Sequence, residues 1–419
     1  DIGTWSEHGC RGLPRENGAM MNYSGSTEFA SDDRVIRAGL VLSGKNFDPI
    51  VDGAVVVRDK KIIWVGSAQV APAADFHFPD LTLAPGLIDA HVHLFDPKGL
   101  GTDHEPSEAE KVLAMVGNLS KFLSAGVTTI RDLGSPGTLG SEIRDAVDSG
   151  KIVGPRMVVA NRCLTITGGH GYQFGIECDS EEELRKAVRQ LLKDGSDCVK
   201  IMASGGFVHH RRSEGGSLYF PLFTFSEMKA IVDEAHKNGM HVAAHAQNKD
   251  AIEMAFETGV DTLEHCTFTA KPTATLDEDL VKRIAASGRP VIPTVNNYWL
   301  TVGVPWAEKE IALGNLRRLY DLGVNMIAGT DSGIPTTTPD LYAEGLRVFH
   351  EVGIAPDYIL RSATTAAAAA IGLADVTGSI EPGLSADLVG FGGNPLEEID
   401  AYFRPRAVFA RGQLISAVA

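Results

Sequence analysis

The chain has 419 residues, of which 44% are hydrophobic and 22% are charged, and its formal net charge is −16. This composition is typical of a globular protein with one large and one small domain, and the negative charge argues against nucleic-acid binding. No apolar run reaches the roughly 18 residues that are needed to cross a membrane.

The five cysteines are odd in number and irregularly spaced, and none of them forms a C-x-x-C motif. A disulfide framework would show an even number of cysteines at recognisable spacings. We therefore expect reduced thiols and a cytoplasmic protein.

Both ends of the chain differ from its middle. Residues 1–32 show neither hydrophobic periodicity nor the pattern of a signal peptide, so we expect an irregular N-terminal extension. Short strand-like runs follow in 33–84 and return in 379–419. We predict that these two segments meet in a small β-sandwich domain, and that 85–378 forms a separate domain.

The middle of the chain alternates helix and strand. Ser180 and Thr224 each stand as an N-cap before an amphipathic run that ends at a glycine, which predicts a helix in each place. Eight strand candidates are separated by helix-compatible stretches, so we predict an α/β fold with a (β/α)₈ TIM-type barrel. A doubly wound open sheet is the alternative, but the first strand is not followed by G-x-G-x-x-G. The eight candidates are 83–93, 127–133, 156–161, 197–203, 240–246, 262–266, 291–295 and 325–331.

Histidine, lysine and aspartate recur at corresponding places in these strands. A barrel gathers the carboxyl ends of its strands around one mouth, and imidazole and carboxylate are common ligands of Zn²⁺ and similar ions. Each residue alone is more simply explained as a core or turn residue, and a lysine amine is protonated at neutral pH. Their shared position favours a common metal site. The candidates are His91, His93, Lys200, His245, His265 and Asp331.

The motifs around these residues resemble those of the amidohydrolase superfamily. The resemblance covers roughly residues 33–419 and includes the branch of Xaa-Pro and Xaa-Arg dipeptidases, acyl-amino-acid hydrolases and ochratoxin amidase. Carbamate and phenylurea hydrolases are near relatives of that branch. The motifs are LAPGLIDAHVHL at 83–94, VKIMASGG at 199–206, AHA at 244–246, LEH at 263–265, GTDS at 329–332 and GLSADLV at 383–389.

The resemblance implies a centre of two divalent metal ions, usually zinc, with Mn, Co and Fe left open. His91, His93 and Asp331 would hold one ion, while His245 and His265 would hold the other. CO₂ would carboxylate Lys200, which converts its cationic amine into an anionic bridging ligand.

Hydrolysis through a metal-activated hydroxide follows from such a centre. Asp331 would take the proton of that hydroxide and return it to the leaving amine. His170, in the loop after the third strand, would contact the substrate carbonyl or carboxylate as a second catalytic group. Four further substrate contacts are expected: Arg211 and Arg212 gripping a carboxylate, and Tyr219 and Tyr298 orienting the substrate.

We therefore expect a metal-dependent amidohydrolase that cleaves the C–N bond of a dipeptide or an N-acyl amino acid. A carbamate, phenylurea or other xenobiotic amide hydrolase is the nearest alternative, and a non-catalytic barrel that binds a ligand is an alternative of another class. The expected partner is a small-molecule substrate, without nucleic acid or membrane. Assembly into homo-oligomers stays open.

Overall fold

The structure is a computed structural model that describes residues 29–95, 106–206, 216–301, 303–304, 307–334 and 337–417. Asp32–Ala419 forms one compact unit. Most of the predicted N-terminal extension, residues 1–28, lies outside the described residues.

The strands and helices follow one another through the unit. Among the described helices, none combines the length and the apolar content that a membrane-spanning segment requires. The strands are β1 (Arg34–Ser43), β2 (Asp48–Arg58), β3 (Lys61–Ser67), β4 (Phe76–Pro85), β5 (Leu87–Val92), β6 (Val127–Asp132), β7 (Arg156–Val159), β8 (Leu164–Thr165), β9 (Ile176–Glu177), β10 (Cys198–Met202), β11 (His241–Ala246), β12 (Thr262–His265), β13 (Val291–Ile292), β14 (Leu388–Phe391), β15 (Pro405–Ala410) and β16 (Gln413–Ala417). The helices are α1 (Glu108–Ser124), α2 (Leu139–Asp148), α3 (Glu181–Lys193), α4 (Phe225–Lys237), α5 (Lys249–Thr258), α6 (Glu278–Ser287), α7 (Lys309–Asp321), α8 (Tyr342–Glu351), α9 (Pro356–Ser362) and α10 (Thr365–Ala370), with 3₁₀ helices η1 (Gly216–Tyr219), η2 (Asn297–Trp299), η3 (Pro339–Leu341) and η4 (Ile399–Phe403).

The two predicted helix caps are present. Ser180 accepts a hydrogen bond from the N–H of Glu183 at the start of α3. Thr224 and Glu227 form a complete capping box at the start of α4, in which each side chain accepts from the other residue's N–H. These bonds satisfy N–H groups that the first turn of a helix leaves without partners, so the sequence fixes where both helices begin.

Strands from both ends of the chain join one sheet in the order β16-β15-β14-β4-β1-β2-β3. The pairing of β1 with β4 is parallel and the other pairings are antiparallel. The rings of Phe76 and Phe78 meet Phe409 edge-on, with centroids 5.4 and 6.3 Å apart. Strands from the two segments thus share one sheet, which has its own apolar core.

The middle of the chain forms two sheets in which all neighbours are parallel. Their orders are β5-β6-β7 and β13-β12-β11-β10-β8-β9. Helices connect most successive strands, except that β7, β8 and β9 follow one another without a helix between them. The strand residues are almost all buried, as expected of strands covered on both faces. The fold is therefore a mixed α/β fold.

Backbone hydrogen bonds also link these two sheets to each other. On one side, Asp197 N–H donates to the carbonyl of Val159 at 2.8 Å. On the other, the segment 325–332 lies between β13 and β5, since Ile327 N–H donates to Val291 and Asp331 N–H donates to His91, at 2.9 and 2.8 Å.

Two predicted strands differ in detail from the structure. The predicted strand 325–331 makes isolated bridges instead of a regular strand, and Asp331 has a φ of +59° that interrupts extended backbone. The predicted strand 83–93 is divided at Gly86, so that β4 belongs to the terminal sheet and β5 opens the parallel sheet. A Cβ at Gly86 would lie 2.1 Å from Thr128 Oγ1, so only glycine allows this close approach.

Candidate functional site

The end of β5 brings two imidazoles beside one carboxylate. Nε2 of His91 lies 3.5 Å from Asp331 Oδ1, and Nε2 of His93 lies 3.3 Å from the same oxygen. One ligand atom from each of these three residues lies within 4.8 Å of the others. The spacing of two residues in β5 thus presents both rings to one point, as the period of a strand requires.

The Asp331 carboxylate has an oxygen that is available to bind a cation. Its Oδ1 is buried and makes no hydrogen bond with any described residue. Burial raises the pKa of the Asp331 carboxyl. The contact with His93 and the charges of His91 and Lys200 lower this pKa by more than burial raises it, so it falls below its usual value. A buried carboxylate oxygen without a hydrogen bond, facing two imidazole nitrogens, is a fitting place for a cation.

Lys200 enters the same site from β10. Its Nζ lies 3.3 Å from His91 Nε2, and the residue is 1% exposed. Burial lowers the pKa of the Lys200 amine from its ordinary value. A lowered pKa favours the neutral amine, which is the form that reacts with CO₂.

His245 and His265 complete the group at the ends of β11 and β12. Their ring centroids lie 4.4 Å apart, and the His265 ring lies 5.1 Å from that of His91. Burial lowers the pKa of both imidazoles well below the usual value, so both are neutral at neutral pH. The structure thus brings all six predicted ligands together.

Each of the four histidines is anchored through one ring nitrogen, which leaves the other for the centre. Such outer contacts fix the tautomer and the ring orientation of metal-ligating histidines. The donor set of four imidazoles, one carboxylate and one buried amine therefore fits a metal centre. The anchoring contacts are His91 Nδ1 to Glu264 Oε2 at 2.7 Å, His93 Nδ1 to Gly134 O at 3.1 Å, His265 Nδ1 to Thr294 Oγ1 at 2.8 Å and His245 Nε2 to Gly205 O at 3.1 Å.

Three buried residues around the site were not predicted. Glu264 contacts His91, and Arg131 donates to Glu264 Oε1 at 2.8 Å. Asp89 accepts hydrogen bonds beside both His91 and Asp331, and burial raises its pKa to about 7. Each of these is a charged residue inside an otherwise apolar strand. A charged residue is rarely fully buried unless it is paired, and this pattern was the signal in the sequence that could have indicated them.

His170 lies close to one of the predicted ligands. Its ring centroid lies 4.5 Å from that of His245. A Cβ at Gly206 would lie 2.5 Å from Cε1 of the His170 ring, so the chain after β10 packs closely against this ring. His170 therefore borders the side of the site that His245 occupies.

Of the other four predicted substrate contacts, the structure describes only the two tyrosines. Tyr219 lies in η1 with the ammonium of Lys271 4.7 Å from its ring centroid, and Tyr298 lies half-buried in η2. Arg211 and Arg212 lie outside the described residues. Their roles toward a substrate stay predictions.

A sequence profile of the amidohydrolase family matches residues 82–415. The chain belongs to this family. It is accordingly a hydrolytic enzyme that acts on amide bonds. The matched range contains all six residues of the site, and it extends from β4 in the terminal sheet to β16.

Known proteins of this kind resemble the amidohydrolase along most of its length. Ochratoxinase of Aspergillus niger is 28% identical over 416 residues, covering 89% of this chain and 84% of the relative. The crystal structure of a Xaa-Pro dipeptidase with bound methionine is 26% identical, with a TM-score of 0.80, and covers 92% of this chain and 100% of its own. Molinate hydrolase, 20% identical with a TM-score of 0.80 over 93% of this chain and 95% of its own, shares the fold.

Proposed function

We propose that this amidohydrolase is a binuclear metal-dependent hydrolase that cleaves the amide bond of a dipeptide or an N-acyl amino acid. One observation carries the proposal: four imidazoles, each anchored through one nitrogen, converge with the Asp331 carboxylate and the buried Lys200 amine. Side chains from β5, β10, β11, β12 and the segment 325–332 supply this group.

We also propose that the parallel sheets close into an eight-stranded barrel and that the terminal sheet folds over as a sandwich. The hydrogen bonds from Asp197 to Val159 and from Asp331 to His91, at the two junctions between the sheets, support the barrel. The shared core that includes Phe409 and Ile36 supports the sandwich. In such a barrel the six residues lie at the carboxyl ends of the strands, where barrel enzymes have their active sites.

His91, His93 and Asp331 would hold one divalent ion, His245 and His265 the second, and a carboxylated Lys200 would bridge them. Zinc is the expected metal, because neutral imidazole and carboxylate ligands suit it. The chemistry that two such ions supply when bound is acidification of a shared water and polarisation of the scissile carbonyl.

The chain's own residues then move the proton and orient the substrate. The Asp331 carboxylate, whose pKa is held below its usual value, accepts a proton from the attacking hydroxide and returns it to the nitrogen of the leaving group. His170, beside His245, contacts the carbonyl or the carboxylate of the substrate. Because the surrounding strands bury the site, these interactions act in a medium where water competes weakly.

The choice of a dipeptide or N-acyl amino acid is supported by the ochratoxinase and the Xaa-Pro dipeptidase, which are 28% and 26% identical to this chain. The purified protein should contain about two divalent ions per chain, measured by mass spectrometry. It should hydrolyse members of a panel of Xaa-Pro and Xaa-Arg dipeptides and N-acyl amino acids.

Carbamates and phenylureas belong in the same panel as comparison substrates. Activity on these alone, with none on any substrate that carries a free carboxylate, would reject the dipeptide and N-acyl assignment. Fewer than one ion per chain after gentle purification, together with no hydrolysis, would favour a binding protein instead.

A further inference from the structure

Three buried polar side chains form a chain of contacts behind the candidate metal site. Arg131 on β6 donates through Nη2 to Glu264 Oε1 at 2.8 Å, and Glu264 Oε2 contacts His91 Nδ1 at 2.7 Å. Arg131 is 2% exposed, and Glu264 and His91 are 0% exposed. Because all three are sealed from solvent, their mutual contacts and not water determine where each proton lies.

His91 is anchored differently from the other histidines of the site. The groups that anchor His93, His245 and His265 are two backbone carbonyls and a hydroxyl, whereas His91 is anchored by a carboxylate. Oε1 of Glu264 accepts from both Arg131 and Thr262, which leaves Oε2 to accept from the ring nitrogen that faces it, and that nitrogen must then carry the proton. His91 therefore keeps its proton on Nδ1 and presents a bare Nε2 to Asp331 and Lys200.

Arg131 and Thr262 fix which oxygen of Glu264 faces His91. Arg131 Nη2 and the Thr262 hydroxyl both donate to Oε1, and Arg131 Nη1 donates to Thr262 Oγ1 at 3.0 Å. Arg131 Nε also donates at 2.7 Å to the carbonyl of Ala90, the residue before His91. A buried ion pair is weak evidence for stability, because desolvation of both charges offsets their attraction. A role at the site gives a reason for its presence.

We propose that Glu264 is a positioning residue which, held by Arg131 and Thr262, keeps the proton of His91 on Nδ1 and so leaves Nε2 able to bind a metal ion. The inference rests on the proposed function in taking His91 as a ligand. In this proposal Arg131 and Glu264 influence metal binding only through His91, and neither contacts the ion or the substrate.

The variant Glu264→Gln tests the inference because it keeps the shape of the side chain. Arg131 and Thr262 both donate toward the Oε1 position, so the amide oxygen of the new side chain must lie there. Its NH₂ group then faces His91 Nδ1 and can only donate, which forces Nδ1 to accept and moves the His91 proton to Nε2. We expect metal affinity to fall about 10- to 100-fold, the range found for losses of outer-shell partners.

The double variant Arg131→Met with Glu264→Gln separates this mechanism from simple damage. Without the guanidinium the amide is free to rotate and to offer its oxygen to His91 Nδ1–H. We therefore expect the double variant to bind metal more tightly than Glu264→Gln alone, although it carries the larger change. If Arg131 and Glu264 only stabilised the fold, the double variant should bind metal more weakly than Glu264→Gln alone.

The matched control is Asp33→Asn in the terminal sheet. Asp33 is a buried carboxylate that pairs with Arg58 through two contacts of 2.6 and 2.9 Å, so the substitution makes the same acid-to-amide change beside an arginine. It immediately precedes β1 of the terminal sheet, whereas the candidate ligands belong to the parallel sheets and the segment 325–332. We expect it to leave the metal content and metal affinity unchanged.

The measurements are zinc affinity by competition with a chelator, and the tautomer of His91 in the metal-free full chain by ¹⁵N-histidine NMR. An Nδ1–H signal for His91 in the wild type, an Nε2–H signal in Glu264→Gln and recovery in the double variant are expected. An Nε2–H signal in the wild type, or wild-type affinity in Glu264→Gln, would overturn the inference, and the wild-type spectrum decides even where a variant fails to fold. A wild type that binds no divalent ion would instead contradict the proposed function.

Discussion

Asp89 accepts hydrogen bonds from both the backbone N–H and the hydroxyl of Thr330, at 3.0 and 2.6 Å. Thr330 immediately precedes Asp331, and the same carboxylate accepts the backbone N–H of His91 at 3.3 Å. One buried side chain on β5 therefore ties together the two backbone segments that carry two candidate ligands. Their relative position depends on this residue, although Asp89 is absent from the ligand set itself.

Substitution Asp89→Ala should be strongly destabilising. It leaves two buried backbone donors without an acceptor and removes one acceptor of the Thr330 hydroxyl, so we expect a loss of about 2–4 kcal/mol in the free energy of unfolding. Thr330→Val keeps both backbone contacts of Asp89 and removes the hydroxyl, which also accepts from the N–H of Ser332 at 3.1 Å, so it should cost less, about 1–2 kcal/mol. Urea unfolding of the metal-free protein measures both. Equal losses in the two variants would contradict the view that Asp89 supports both segments.

The buried Asp132 carboxyl should make the stability of the protein depend on pH, and asparagine at this position should remove that dependence. Burial raises the pKa of the Asp132 carboxyl above its ordinary value of 3.8, and donation from Ser135 and Gly134 offsets only part of this. A raised pKa means that the folded state holds the proton more tightly than the unfolded state does. The contribution of Asp132 is therefore full below about pH 4 and is lost as pH rises through the folded-state pKa.

The comparison with Asp132→Asn measures this contribution. The stability of the wild type relative to the variant should fall as pH rises from 4 to 8, and Ser135→Ala should enlarge this fall, because it removes a donor that lowers the pKa of Asp132. Thermal unfolding with a chelator present gives the two curves. Parallel curves across this range would show that Asp132 does not titrate as its burial predicts.

The sequence points to six residues that the fold brings together, because strand ends are visible in it. Periodicity and caps locate β10 and β11, and a residue such as His245 near the end of a strand then points toward the common mouth. Local pattern cannot show that Asp331 has a φ of +59°, because interactions with His91 and Asp89, distant in sequence, hold that backbone. For this reason the predicted eighth strand appears only as isolated bridges.

The supporting residues are harder to predict for a related reason. Glu264 and Arg131 are 133 positions apart in the chain, and nothing local to either one indicates the other. Each could equally have faced solvent at a sheet edge. Their pairing depends on the arrangement of β6 and β12, which strand patterns alone do not specify.

Gly206→Ala should disturb His170 without removing the metal ions. The new Cβ would lie 2.5–2.8 Å from three atoms of the His170 ring, so the ring must move. Because His170 is proposed to contact the substrate and not the ions, we expect a higher KM or a lower kcat at an unchanged metal content. Gly117→Ala on α1 is the control, since its Cβ meets nothing within 4 Å and should raise helix stability by up to about 1 kcal/mol. Loss of metal in Gly206→Ala would contradict the role given to His170.

Lys200 should make metal loading depend on CO₂. Metal-free protein reconstituted with zinc in CO₂-depleted buffer should recover little activity, and added bicarbonate should restore it, because the neutral amine must first become a carbamate. Lys200→Ala should lose the second ion and most activity under both conditions. Metal content and initial rates measure the effect. Unchanged metal content in Lys200→Ala, or reconstitution indifferent to bicarbonate, would reject the carbamate.

Asp331→Asn tests the proton transfer that we propose for the Asp331 carboxylate. The amide keeps an oxygen near His91 and His93 but is a very weak base, so kcat should fall about 10²- to 10⁴-fold, the usual contribution of general acid–base catalysis. The rates should be compared at equal metal content, with the exposed Asp340→Asn as control. A fall in kcat that merely follows the loss of metal would show that Asp331 acts as a ligand alone. A fall that persists in fully loaded protein supports its role in moving the proton to the leaving nitrogen.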